Sequence, residues 1–162
     1  MADNNSKKSL NRRDREDEIY NRVIEIKRVS KKTKGGNSIS FTALMVVGDR
    51  QGKVGIALGK GLDVLSAINK GKKRAKKNML TVPMKDKTIP HDIRFKQGAA
   101  QLVLKPAPPG SGIIASQSIK LVLEAAGYED MSVKILGTNN KTSNVKAVIE
   151  ALKKLNEYDQ QE

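Results

Sequence analysis

The sequence predicts an α+β chain of two small domains, the first ordered β-β-β-α and the second β-β-α-β-α. Three observations predict this. Short runs alternate apolar with polar residues, three longer stretches repeat apolar residues every three to four positions, and a stretch bearing Pro83 and Pro90 separates the halves. A chain of 162 residues holds one ordinary domain or two very small ones.

Residues 1–18 read as a solvated tail. Lys7, Lys8, Arg12, Arg13 and Arg15 are matched in number by Asp3, Asp14, Glu16, Asp17 and Glu18, and apolar residues are nearly absent. Val23 to Val29 predicts a strand with Ile24 and Ile26 on one face and Glu25 and Lys27 on the other. Lys31 to Gly36 then reads as a basic, glycine-bearing loop. In the second strand Ile39, Phe41, Ala43, Met45 and Val47 alternate with Ser40, Thr42, Leu44 and Val46, so the second face turns apolar late. Gly48 to Gly52 is a hairpin connection to a third strand marked by Val54, Ile56 and Leu58.

A helix is predicted over about 62–79, with Val64, Leu65, Ala67, Ile68, Gly71, Ala75 and Met79 on one broad arc. Lys70, Lys73, Arg74 and Lys77 share the opposite side. Such like charges repel, so a face without interspersed acids is better explained by phosphate than by solvent alone. Leu80 to Pro90 reads as the linker. Strands follow at Ile93 to Phe95 and Gln101 to Leu104, then a turn-rich loop from Pro106 to Gly112. A helix over Ser116 to Ala126 ends on Gly127 as a left-handed cap. Val133 and Ile135 mark another strand. The last helix, Ser143 to Leu155, takes Ser143 as N-cap and buries Val145, Val148, Ile149, Leu152 and Leu155. The implied boundaries are a tail at 1–18, domains at 19–82 and 83–156, and a tail at 157–162.

Charge narrows the function. Lys and Arg number 31 against 17 Asp and Glu, a net +14 that lies beyond residue 18. That excess exceeds what solubility needs and points to a polyanion. Five aromatic residues leave little for stacking single-stranded bases, so shape and phosphate recognition of folded RNA is expected. With no cysteine and His91 as the one histidine, thiol catalysis, zinc ribbons and histidine metal clusters are excluded. No apolar run is long enough for a membrane span, and the first residues lack an apolar signal core. The expectation is a cytoplasmic protein with no membrane partner, metal, cofactor or small-molecule substrate.

Two glycine segments invite chemistry. Gly55-Ile56-Ala57-Leu58-Gly59-Lys60 is one residue short of a nucleotide-binding phosphate loop and has Gly61 where a hydroxyl is needed. It reads instead as a tight strand-to-helix turn whose N–H groups could meet an RNA phosphate. Pro106 to Ser116 resembles the phosphate loop of the galactokinase-like kinases, with Glu124, Glu129 and Asp130 as nearby acids. The half-chain leaves little room for a two-substrate pocket, so the loop reads as a contact turn. His91 and Asp92, placed on a strand edge, point to opposite faces and form no dyad. No catalytic residue is assigned.

Arg28 to Gly36 and Ser40 to Asp49, followed by Gly52 to Gly55, Gly59-Lys60, Ala75 to Asn78, Thr88 to His91, Pro106 to Ala115 and Gly137 to Asn140, form an ordered motif set. It resembles the bacterial small-subunit ribosomal protein five family over about residues 18–155. The resemblance implies a double-stranded-RNA-binding-like first domain and a second with the left-handed β-α-β topology of the galactokinase-like kinases. It also implies binding to small-subunit rRNA, contacts with ribosomal proteins four and eight, a position near the path by which mRNA enters, and roles in assembly and translational accuracy. Carried over by motif, Lys31, Lys32, Lys34, Gly35 and Gly36 reach into the rRNA at the head–body neck, with Arg28 beside them. Lys53, Lys60, Lys70, Lys73, Arg74 and Lys77 complete the expected rRNA-binding set. Gly110, Ser111, Gly112 and Lys120 are expected at the interface with protein four. Three departures from the family's usual pattern stand out: Asn37 in place of a basic residue, Ala57 in place of glycine, and Ser116-Gln117 in place of paired glycines or small residues.

Overall fold

The computed structural model describes residues 19–159, with side chains through Leu155. The tail expected at 1–18 lies outside the described residues. Strands β1 (Tyr20–Thr33), β2 (Gly36–Gly48), β3 (Lys53–Gly61) and β4 (Leu80–Thr81) form an antiparallel sheet in that order, and helix α1 (Val64–Lys77) follows β3. A second sheet holds β5 (Ile93–Gln97), β6 (Ala100–Pro106), β7 (Ile113–Ile114) and β8 (Met131–Ile135) in the order β5-β6-β8-β7. Helix α2 (Gln117–Ala126) joins β7 to β8, which pair in parallel, and α3 (Lys141–Asp159) closes the chain. The architecture is the two-domain α+β arrangement that the alternation and periodicity predict. β4 and β7 are additions, because two residues are too few to show a period, and β4 takes the first two residues of the expected linker Leu80 to Pro90 into the first sheet.

The glycines of β3 are explained by packing. A Cβ on Gly59 would stand 2.0 Å from the Ala67 carbonyl oxygen, and one on Gly55 2.3 Å from that of Ala75. Ala67, Gly71 and Ala75, spaced by four, are buried on the facing side of α1. The helix therefore lies almost backbone to backbone on the strand. This corrects two expectations. The segment Gly55 to Lys60 is continuous strand, with only Leu62 and Asp63 between β3 and α1. The buried arc of α1 is also narrower than predicted: Leu65 is 74% exposed, because only small residues fit the close approach. The helix is shorter than 62–79, with Asp63 as N-cap and Asn78 as C-cap.

Both faces of the first sheet are covered. Ala43, Met45 and Val47 lie on the α1 side, while Leu44, Val46 and Val54 join the core of the second half with Ile119, Val122, Leu123 and Leu152. That is why the second face of β2 turns apolar only from Leu44. A register shift between Val23 and Glu25 adds one residue to β1, a β-bulge. Ile24 consequently packs with the shared core, whereas Ile26 stands opposite Ala43 on the α1 side, 45% exposed. The expected common face for these two isoleucines is thus corrected.

The β2–β3 turn locks the halves together. The Arg50 N–H donates to the Ala125 carbonyl at 3.0 Å and the Gly52 N–H to that of Ala126 at 2.8 Å. A Cβ on Gly48 would lie 2.0 Å from the Ala125 oxygen, and one on Gly127 2.2 Å from the Arg50 oxygen. Gly127 caps α2 with φ of 100°, as predicted. In α3 the predicted apolar face is buried, but the cap is not Ser143. The helix begins at Lys141, and the Asn140 Oδ1 accepts the Thr142 N–H at 3.1 Å, the bond of an N-cap.

Candidate nucleic-acid interface

β3 ends at Gly61, opposite Phe41, so beyond that row β1 and β2 run on alone. They form a two-stranded ribbon of about 17 Å, at roughly 3.4 Å per residue, ending in the Lys34-Gly35 turn. Thr33 Oγ1 closes the turn by donating to the Gly36 carbonyl at 2.8 Å. Side chains from Ser30 to Ile39 are exposed, so nothing but the ladder and its partner can order them. The expected loop at Lys31 to Gly36 is therefore mostly strand, with Lys31 and Lys32 paired to Ser38 and Asn37. Period-2 alternation is invisible there because neither face is apolar.

Strand geometry sorts the charges. Arg28, opposite Phe41, and Lys32, opposite Asn37, lie on the α1 side. Lys31, opposite Ser38, lies on the other side with Lys27, and Thr42 sits between Lys27 and Lys60 across the sheet. Cations thus stand on both faces of the ribbon and its root. Lys27 lies outside the set that the motifs supply, and its alternation with Ile26 is the sequence signal that places it there.

A second basic field lies on α1. Lys70, Lys73, Arg74 and Lys77 are exposed, and Arg74 Nη1 donates to the Leu58 carbonyl at 3.2 Å. Half-buried Lys72 and Lys76 flank them, and both follow from the same helical periodicity. Part of this charge has a local role, since Arg74, Lys76 and Lys77 sit in the last turn, where cations offset the helix dipole. Because α1 runs back along β3, this field lies away from the ribbon, and Lys53, on the α1 side of β3, falls near its end. The predicted cations form two fields, one on the ribbon and its root and one on α1.

The predicted protein-contact loop is built differently. Gly110 and Gly112 have φ of 85° and 70°, and Gly110, Ser111 and Gly112 are exposed. Asp130, 8% exposed, anchors the loop by accepting the Gly112 N–H at 2.8 Å. Lys120 is half-buried in the first turn of α2. Asp130 thereby serves the loop as its anchor rather than as an acid of a kinase site. His91 and Asp92 precede β5 and are exposed, so they are not on the strand edge expected.

Near the ribbon root, Glu25 bridges Lys27 at 3.2 Å and Lys141 of α3 at 3.3 Å. Burial pushes its carboxyl up, but the bonds and charges of Lys27 and Lys141 together outweigh that and hold it below the usual carboxylate range. Burial pushes the Tyr128 phenol well above its ordinary value, and its hydroxyl donates to the Pro83 carbonyl. Among the described residues no three His, Cys, Asp or Glu could hold a metal ion, and no helix is long and apolar enough to cross a membrane.

Comparison with known proteins accounts for both halves. Residues 19–83 match the family model described as ribosomal protein S5, N-terminal domain, and residues 95–162 match ribosomal protein S5, C-terminal domain. The chain is 47% identical over 152 residues to small ribosomal subunit protein uS5 of Salinibacter ruber, covering 94% of this chain and 87% of that one. It is 42% identical over 157 residues to small ribosomal subunit protein uS5c of Porphyra purpurea, covering 96% and 90%. With uS5 of Chloroflexus aurantiacus it shares 44% over 138 residues, 85% of this chain and 78% of the relative. Two successive domain matches and near full-length relatives agree with the fold and its basic fields: the chain belongs to the ribosomal protein S5 family.

Proposed function

We propose that this protein works as a structural, non-enzymatic constituent of the small ribosomal subunit, bound to small-subunit rRNA in the bacterial cytoplasm. The observation that carries the reading is the ribbon: a coreless two-stranded projection with cations on both faces. Phosphates standing on both sides give such an element the partner it lacks in the free chain. Arg28, Lys31, Lys32, Lys34, Gly35 and Gly36 are its rRNA contacts, with Lys60 at its root. Lys53, Lys70, Lys73, Arg74 and Lys77 serve a second rRNA surface.

The finer assignments follow from family membership. The loop at Gly110, Ser111 and Gly112, with Lys120, meets ribosomal protein four, and another surface meets protein eight. These contacts support subunit assembly, translational accuracy and the path by which mRNA enters. Domain limits at 19–82 and 83–156 are supported by the two sheets, which end and begin at Thr81 and Ile93.

Sedimentation with small subunits through a high-salt wash tests the reading. A free duplex-RNA binder with six phosphate contacts loses roughly a thousandfold in affinity between about 50 and 200 mM salt, and an assembled constituent stays. Clean release together with binding to arbitrary duplexes would show a free RNA-binding protein or RNA chaperone instead. Removing the charges of Lys31, Lys32 and Lys34 is expected to impair assembly more than removing Lys7 and Lys8, and equal effects would refute that ranking.

A further inference from the structure

A cleft of about 340 Å³ opens between the two domains, at the end of α1 remote from the ribbon. That volume falls within the ~300–1,000 Å³ range of small-ligand pockets. Its floor is aliphatic: Ile56 of β3, Leu80 of β4 and Ile149 of α3, the last 4% exposed. Its rim is polar, with the amides of Asn78 and Gln97 and the amines of Lys146 and Lys153. Lys146, Ile149, Glu150 and Lys153 recur every three to four residues and share one face of α3. Lys153 neutralises Glu150 in a 2.8 Å ion pair, whereas Lys146 has no ion-pair partner among the described residues.

We propose that this cleft receives one unpaired base of the rRNA, with the adjoining phosphate on Lys146. The chemistry of the walls selects that occupant. A nucleobase has apolar faces and a hydrogen-bonding edge, so it needs an apolar floor beside groups that both donate and accept. Asn78 and Gln97 each supply a donor and an acceptor. An aliphatic side chain from a protein would use the floor and leave both amides and Lys146 unanswered. Position agrees, because Asn78 directly follows Lys77 and a strand tracking the basic face of α1 arrives at this rim. The walls hold no aromatic ring, so a lone nucleotide binds weakly and the contact gains its strength within a larger interface.

This inference rests on the rRNA-binding reading but can fail separately from it. The full chain, labelled at isoleucine and leucine methyls and at backbone and side-chain amides, is titrated with the four ribonucleoside monophosphates and with ribose 5-phosphate. The monophosphates are expected to shift the Ile56, Leu80 and Ile149 methyls and the Gln97 amide with saturation in the millimolar range, and ribose 5-phosphate to leave the methyls in place. Gln97→Ala and Lys146→Ala alter exposed residues, and each is expected to weaken binding several-fold with the fold intact. Methyls that respond to none of the four, or equally to the sugar phosphate, overturn the proposal. In assembled subunits a photoreactive residue at position 97 should crosslink to RNA, and a protein adduct gives the cleft to a neighbouring protein and overturns it too. Methyl shifts from a chain that fails to sediment with subunits would leave the base site standing and sink the ribosomal reading.

Discussion

The root and the tip of the β1–β2 hairpin share one ladder and differ in everything else. From Ala43 to Gly48 the β2 strand of the root is buried on both faces, with α1 on one side and the second domain on the other, while its β1 partner at the sheet edge is half-buried or exposed. From Ser30 to Ile39 the same two strands have no side chain buried. Hydrogen bonds alone leave an isolated hairpin marginal in water, so the root supplies the tip's stability. Freed from packing, the tip can carry cations on both faces, which no core-facing strand could hold. A stable anchor and a binding element are thus made from one continuous pair of strands.

The largest expected effect breaks the root. Gly59→Ala or Gly48→Ala drives a Cβ to 2.0 Å from a backbone oxygen, so a helix must shift, at a cost of about 3 kcal/mol in denaturant unfolding, the upper end of overpacking. Next is Asp130→Asn, which removes the charged acceptor of the Gly112 N–H. It should cost about 1–2 kcal/mol and speed amide exchange in the loop at Pro106 to Gly112, showing whether an exposed segment with its own anchor behaves like the root.

Glu25→Gln is smaller. The carboxyl is depressed in the folded state, so its contribution is complete above its ordinary value of 4.5 and is lost as pH falls through the lower folded value. Lys141 is half exposed, which limits the effect to below about 1 kcal/mol; wild type and variant should converge in acid and differ at neutral pH. At the tip, Gly35→Ala meets nothing within 4 Å and should change stability by less than about 0.5 kcal/mol. Lys31→Ala, Lys32→Ala and Lys34→Ala together should be equally silent in unfolding. Their effect is on rRNA binding, where the salt slope should fall by roughly 2.7 if all three meet phosphate, with the duplex-DNA value as guide. Loss of stability in that triple variant would erase the distinction between root and tip.

Much of this was legible in the residues. Alternation located β1, β2 and β3, and the spacing of Val145, Val148, Ile149, Leu152 and Leu155 located the buried face of α3. Gly127 announced the end of α2 through the one conformation it tolerates better than other residues. The outer part of the ribbon, Lys31 to Gly36, reads as a loop in the sequence, because alternation reports burial and an exposed strand has none to report. Ile24 and Ile26 read as sharing one face in the sequence because a bulge leaves no mark on a short pattern.

By itself the sequence determined the classes of element, the excess of positive charge and the family, since propensity, net charge and ordered motifs are properties of the chain. Only the tertiary structure decided why β3 is rich in glycine and where the cations stand. Gly55 and Gly59 are required by a helix that closes onto their strand, and Asp130 is required by a loop 18 residues away in the chain. The two basic fields separate because α1 doubles back along β3. Close approach and direction in space arise between segments, so no local pattern of residues contains them.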